Sequence, residues 1–240
     1  MVRAATWLGH ATVVVDLDGT RLITDPVFRK RVLHLRRDAA VATPAGLHGV
    51  LLSHLHYDHL DLPSLATLPA SLPIVVPRGG ARFVRGLGDA VEVEAGGTVQ
   101  LGPLRVTAVE AAHDGRRRPA GPPVAALGYV ICGSRTIYFA GDTDLFPGMA
   151  ALAGSDLALL PVAGWGPTLG PGHLVPSRAA RALALLRPAV AVPIHWGTYS
   201  ALGTKANDRG PAEAFALAAE TTAPEVDVRI LPVGGTLPLE

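Results

Sequence analysis

A chain of 240 residues, 49% hydrophobic and 17% charged, is long enough to bury a substantial core and too apolar for disorder. A formal net charge of +1 argues against a general nucleic-acid binder, and a single cysteine, Cys132, excludes an internal disulfide and makes the cytoplasm the simpler compartment. No apolar run reaches membrane-spanning length and no signal-peptide core precedes Gly9, so the expectation is a soluble protein of one domain over residues 1–240, with which a homo-oligomer is compatible.

The 27 glycines and 21 prolines cut the apolar runs into short pieces, the pattern of many short elements joined by tight turns. Val2 to Leu8, Ala11 to Leu17 and Thr20 to Thr24 read as strands, the last two joined by an Asp18-Gly19 turn. Gly9-His10 and Asp25-Pro26 stand at strand ends, which makes His10 and Asp25 candidate site residues; a turn histidine and a cap are the competing readings. Phe28 to Asp38 carries Arg29, Lys30, Arg31, Arg36 and Arg37 around His34. Such a run is either a solvated face or an attractor for an anion, and a second run, Arg116, Arg117 and Arg118, tilts the reading towards an anionic ligand.

Gly49 to Ser53 reads as a buried strand leading into His54, Leu55, His56, Tyr57, Asp58 and His59. Three imidazoles and a carboxylate within six residues exceed what a solvated loop or ordinary core histidines would need, since each ring requires its own partner. Alternate side chains of an extended segment point the same way, so His54 and His56 can meet one ion; a turn after Tyr57 lets Asp58 and His59 face a second.

Downstream, Leu62 to Leu68 suits a helix started at Asp61 with Pro63 in its first turn, Pro73 to Val76 a strand, and Ala81 to Leu87 a helix ended by Gly88. Val91 to Val93, Thr98 to Leu101 and Leu104 to Ala111 read as strands, the last delivering His113 at its end. Val124 to Cys132 and Arg135 to Ala140 form a hairpin pattern that breaks at Gly141, Asp142, Thr143 and Asp144. Leu157 to Val162 is a buried strand, and the Gly/Pro-rich stretch from Gly164 to Gly172 is a candidate pocket wall or lid. Pro176 to Leu186 has helical apolar spacing and stops before Pro188. Ala189 to Ile194 is a strand ending in His195-Trp196-Gly197, Pro211 to Ala219 a final helix and Val226 to Leu231 a final strand. These elements predict two sheets packed together and covered by helices, with polar loops at one edge.

The groups at strand ends are His54, His56, Asp58, His59, His113, Asp142 and His195. His54, His56 and His113 can fill one ion's protein positions, Asp58, His59 and His195 can serve another, and Asp142 can bridge. A nitrogen-and-oxygen donor set puts zinc first and admits manganese or iron.

In this order, His54 to His59 as His-x-His-x-Asp-His, then His113, Gly141-Asp142-Thr143 and Pro193-Ile194-His195-Trp196-Gly197 resemble the metallo-β-lactamase superfamily over nearly the whole chain. The resemblance implies an α/β protein, an αββα sandwich of two mixed sheets flanked by helices, with two metal ions at the sheet edge. Trp7-Leu8-Gly9-His10-Ala11-Thr12, Asp25-Pro26 and His173-Leu174-Val175-Pro176 look like the branch that contains L-ascorbate-6-phosphate lactonase and the N-acylphosphatidylethanolamine-hydrolysing phospholipase D. That implies a hydrolase in which a metal-bridging hydroxide, oriented by Asp58, attacks a small anionic ester, a phosphodiester or a phosphorylated lactone. His173 or His10 would protonate the leaving group or steady a ligand.

Four other readings compete. A diiron oxidoreductase of this fold resembles a His-x-Glu-x-Asp pattern, which His56 does not match; an RNA-processing nuclease would want a tRNA-binding arm; and many β-lactamases place cysteine where Asp142 stands. A scaffold that has kept only the fold would be expected to have lost some of the seven ligands.

Overall fold

The computed structural model describes residues 3–37, 40–118, 120–164, 169–201 and 208–240. The first half of the chain builds β1 (Ala4–Gly9), β2 (Thr12–Leu17), β3 (Thr20–Thr24), the small hairpin β4 (Arg31–Val32) and β5 (Leu35–Arg36), β6 (Gly49–Leu51), α1 (Leu62–Leu65), β7 (Pro73–Pro77), α2 (Ala81–Val84) and β8 (Asp89–Val93). The second builds β9 (Thr98–Leu101), β10 (Leu104–Asp114), β11 (Ala125–Cys132), β12 (Thr136–Phe139), a 3₁₀ turn over Pro147–Leu152, β13 (Leu157–Pro161), α3 (Pro176–Leu186), β14 (Val190–Ile194), α4 (Gly210–Thr222), β15 (Asp227–Val228) and β16 (Thr236–Pro238).

Two seven-stranded mixed sheets result, ordered β16-β1-β2-β3-β6-β7-β8 and β15-β14-β13-β12-β11-β10-β9. Side-chain alternation packs the first sheet on both faces. Val13, Val15, Leu17, Leu22, Leu51 and Val75 join the core shared with the second sheet. Their neighbours Val14, Ile23, Val50, Ile74 and Val76 turn outward onto a cluster that includes Leu65 of α1 and Val84 of α2. On the other side α3 lays Ala179, Ala180, Leu183 and Leu186 into the main core, and α4 adds Ala212 and Phe215. The arrangement is the αββα sandwich expected from the sequence.

Strand direction places the site. β3, β6, β7 and β8 run parallel, as do β12, β13, β14 and β15. β1 lies two antiparallel steps from β3, and β10 two from β12, so each shares its neighbour's direction. Loops following carboxyl ends of both sheets therefore gather at one edge, where open α/β sheets bind their ligands.

Several elements differ from the sequence expectation. α1 ends at Leu65 rather than Leu68, because Thr67 and Leu68 close tighter i to i+3 bonds and Pro69 cannot continue a helix. α2 stops at Val84 because Arg85 is extended and Gly86 takes the left-handed region at φ +78°. β10 runs on to Asp114 through a register shift after Glu110, so His113 lies inside the strand rather than beyond it. The last apolar run gives only the two-residue β15, and β16, too short to carry a pattern, closes the other sheet against β1. Among the described residues no helix is long and apolar enough to cross a membrane.

Candidate metal centre

The chain turns sharply at four of the strand ends that feed the site. His10, Asp25 and His195 have positive φ values of 54°, 34° and 62°, an unfavourable region for non-glycine residues that is retained where a site requires it. Gly141, at φ +60°, leaves no room for a side chain: a Cβ there would sit 2.6 Å from the Ser53 Cβ and 2.9 Å from the Leu127 carbonyl. That close contact lets β12 deliver Asp142 beside the loop that follows β6.

The inward atoms are set by what holds the outward ones. The His113 Nδ1–H donates to the Gly172 carbonyl at 2.8 Å and the His195 Nδ1–H to Ala163 at 2.7 Å. The His59 Nδ1–H donates to Asp25 Oδ2 at 2.7 Å. Ser53 Oγ donates to the same Asp25 oxygen at 2.6 Å and so accepts from His54 Nδ1 at 2.9 Å. His54, His113 and His195 as neutral rings then present a bare lone pair at Nε2, and His59 presents one once its Nε2 proton is displaced.

The inward nitrogens face one another. His59 Nε2 is 3.2 Å from His195 Nε2, and His56 Nδ1 lies 2.9 Å from His54 Nε2 and 3.2 Å from His113 Nε2. One proton on His56 can serve only one of its two neighbours, and His59 and His195 can share at most one between them. An ion about 2.0–2.1 Å from each of its tetrahedral nitrogen ligands holds them about 3.3 Å apart, close to the spacing found here. Ligand atoms fall into overlapping groups within 4.8 Å of one another: His54, His56 and His113; His10, Asp58, His59 and His195; Asp25, His54 and His59; and His113, Asp142 and His173. Asp142 lies between the first two, with Oδ2 3.3 Å from His59 Nε2 and 3.9 Å from His54 Nε2, and Oδ1 3.3 Å from His195 Nε2. Asp142 Oδ1 is buried without a hydrogen-bond donor. A buried carboxylate oxygen among imidazole lone pairs is the electrostatic imprint of a cation, and the donor set fits divalent ions.

The protonation states agree. Burial holds His54, His113 and His195 below the ordinary imidazole value and brings His56 down to about 4, so all four are neutral. His59 is the exception: against its burial, Asp142 and Asp58 raise it well above the ordinary value, so the cluster gathers positive charge where two carboxylates converge. Against their own burial, Asp58 is held well below the usual carboxylate range by His59 and His10, and Asp142 by His195 and His59.

His10 and His173, the two residues expected to assist, are placed differently. His10 is buried, lies tilted against His195 with ring centroids 3.9 Å apart, and donates from Nε2 to Asp58 Oδ2 at 3.0 Å. Burial and the adjacent His195 bring it down to about 4, so it meets Asp58 as a neutral donor. His173 instead lines a cavity of about 590 Å³ with His56, Asp58, His113 and Asp142. Its Nδ1 donates to the Gly170 carbonyl at 3.1 Å and its Nε2 lies 3.5 Å from Asp142 Oδ2. Burial lowers His173, but Asp142 outweighs it and raises the ring above its ordinary value. Of the Gly164 to Gly172 stretch, residues 165–168 lie outside those described; Pro171 is on the cavity wall.

The basic runs proved largely structural. Arg29 pairs with Asp61, and buried Arg37 donates to the Leu8 carbonyl at 2.9 Å. Arg117 donates to the carbonyls of Leu55 at 2.9 Å and Leu60 at 2.5 Å while stacking 3.8 Å from the Tyr57 ring centroid. Arg117 thus clasps the loop that carries His56, Asp58 and His59. The hairpin of β4 and β5, inside the first run, contributes Val32 and Leu35 to the cavity wall. Sequence reasoning named Asp25 without its role, read Arg117 only as part of an anion-attracting run, and passed over Ser53. A small polar residue directly before the first histidine was the only local signal for Ser53; nothing local marked Arg117 as a brace.

A family model described as a beta-lactamase superfamily domain matches residues 20–196. A UPF0173 metal-dependent hydrolase of Methanopyrus kandleri is 33% identical over 245 residues, covering 95% of this chain and 96% of its own. An uncharacterised protein of Mycobacterium tuberculosis is 30% identical over 220 residues, and there the chain spans only 59% of the relative's length. Among solved structures, Igni18, a metallo hydrolase of the archaeon Ignicoccus hospitalis, superposes with a TM-score of 0.77 at 22% identity, over 100% of this chain and 99% of that one.

Proposed function

The chain belongs to the metallo-β-lactamase superfamily, and from that premise we propose a hydrolase of one domain over residues 1–240 that cleaves a small anionic ester with two divalent ions, zinc first. His54, His56 and His113 would hold one ion, Asp58, His59 and His195 the other, with Asp142 between them. The observation that carries this reading is the convergence of the Nε2 atoms of His54, His59, His113 and His195 and a donorless Asp142 oxygen on one space.

Bound ions of this kind supply a water made acidic enough to yield hydroxide near neutral pH, from a bulk pKa of about 15.7 to about 7 on a single zinc, and a Lewis acid for the oxygen on which charge develops. The chain's own groups orient and move protons. Asp58, fixed by the His10 N–H, keeps lone pairs free to orient the nucleophile. The other edge of His173 is bound to the Gly170 carbonyl, so this ring can offer an Nε2 proton to a leaving group in the cavity. His10 is sealed behind Asp58 and acts as its positioning partner.

A phosphodiester or a phosphorylated lactone is the proposed substrate class. It rests on Arg116 and Arg118 at the cavity edge and on the resemblance of the His10 and His173 segments to the lactonase and phospholipase branch. The test is elemental analysis followed by a hydrolysis screen of lactones and phosphodiesters. Two equivalents of metal and turnover of one ester class are expected; a purified, folded protein that takes up no divalent ion overturns the reading.

A further inference from the structure

A second cavity, of about 700 Å³, adjoins the first. Tyr57, Arg117 and Arg118 line both, so they form a partition whose one face looks toward His56 and Asp58 and whose other face looks toward Arg82 and Phe83. This outer space contains no ligand of the metal centre. Its charged lining groups among the described residues are three guanidinium groups, with no carboxylate.

The three arginines are not equivalent. Arg117 directs N–H groups to the Leu55 and Leu60 carbonyls and serves as wall. Arg118 hydrogen-bonds Tyr57. Arg82 lies over the Phe83 ring, 4.8 Å from its centroid, and among the described residues no ion pair is formed by it, whereas Arg78 nearby in the chain pairs with Glu94. A guanidinium stacked on an aromatic face keeps its in-plane N–H donors, and the rings beside it offer apolar planes. Positive charge edged by Tyr57, Phe83 and Leu62 suits a ligand that is anionic at one end and flat or apolar in its body.

We propose that this outer cavity is a separate binding site for a phosphate or carboxylate group on an apolar or aromatic body, held by Arg82 and Arg118. It goes beyond the hydrolase reading, because the site needs no metal. If that reading holds as well, the shared partition lets one elongated molecule place an ester at the metal centre and a second anion at Arg82.

The probe is 1-naphthylphosphonate, which combines an aromatic body with an anion and has no ester to cleave, titrated calorimetrically into the metal-loaded protein. Two classes of site are expected. Arg82→Gln should weaken one class by about tenfold or more, the loss of a charge-assisted pair, and leave the other in place. Phe83→Ala should weaken the same class by a smaller factor, and His113→Ala should affect only the other. Titration of Arg82→Gln that superposes on the parent overturns the proposal, as does absence of binding or loss of all binding in His113→Ala. A protein that bound no metal would lose only the His113-sensitive class, so failure of the hydrolase reading is distinguishable.

Discussion

Asp25 sits outside the proposed ligand set yet controls it. Its carboxylate accepts three buried hydrogen bonds, from Ser53 N at 2.7 Å, Ser53 Oγ at 2.6 Å and His59 Nδ1 at 2.7 Å. Asp25→Asn keeps the shape, and asparagine tolerates the φ of +34° at this position, so the backbone should stay. An amide oxygen at the Oδ1 position still accepts from Ser53 N, but the NH₂ then meets Nδ1 of His59 and requires a lone pair there. The His59 proton moves to Nε2, where it occupies the direction in which the ring would bind an ion. The opposite amide orientation points NH₂ at the Ser53 N–H, at a cost of about 1–3 kcal/mol.

Loss of such an orienting partner lowers metal affinity by about 10–100-fold, or about 1.4–2.7 kcal/mol. The assay is competition with a chromophoric chelator, alongside urea unfolding of the metal-free protein to separate affinity from stability. Asp25→Ala, which leaves three donors without an acceptor, should destabilise the metal-free fold by about 3 kcal/mol or more. If Asp25→Asn binds metal as tightly as the parent, the tautomer argument is wrong.

Gly141→Ala should destabilise the fold by about 1–3 kcal/mol in chemical denaturation and lower metal content, since its methyl group would collide with Ser53 and a positive φ is strained for alanine. His173→Asn should lower turnover by about 10²–10⁴-fold with metal content unchanged; full activity would remove His173 from proton transfer. His10→Asn should shift metal affinity as well as turnover, because its contact is with Asp58. Alkali should unfold the protein cooperatively. Burial raises Tyr129 and Tyr138 above the ordinary phenol value and Tyr199 to about 12. Above about pH 10 the unfolded chain then binds fewer protons than the native one, and stability falls by about 1.4 kcal/mol per pH unit for each tyrosine involved, up to pH 12 for Tyr199. Denaturation midpoints that stay level from pH 9 to pH 11 would contradict this.

Much of the architecture was legible in the chain because strands here are short, apolar and punctuated. Leu157 to Val162 and Ala189 to Ile194 could be read as buried strands from composition alone, and polar groups immediately after them could be placed at sheet ends. Where pairing rather than pattern decides, the reading slipped. β10 gains its last residues from pairing with β11, β16 exists only as a partner for β1, and α2 yields to a left-handed glycine.

Residue types and their spacing determined which seven side chains were available as metal ligands, since a strand end and a glycine turn mark positions where imidazole and carboxylate can leave the core. Only the packing of two sheets against each other brought His113, Asp142 and His195 to the loop after β6, and only there did each ring acquire the partner that fixes its proton. The same packing turned Arg29, Arg37 and Arg117 from an apparent anion lure into braces for backbone and loop. Sequence separation explains the division. A hydrogen bond between residues 34 or 59 positions apart, such as Asp25 to His59 or His113 to Gly172, leaves no local pattern, because what selects it is burial of polar groups that must find partners in the folded state.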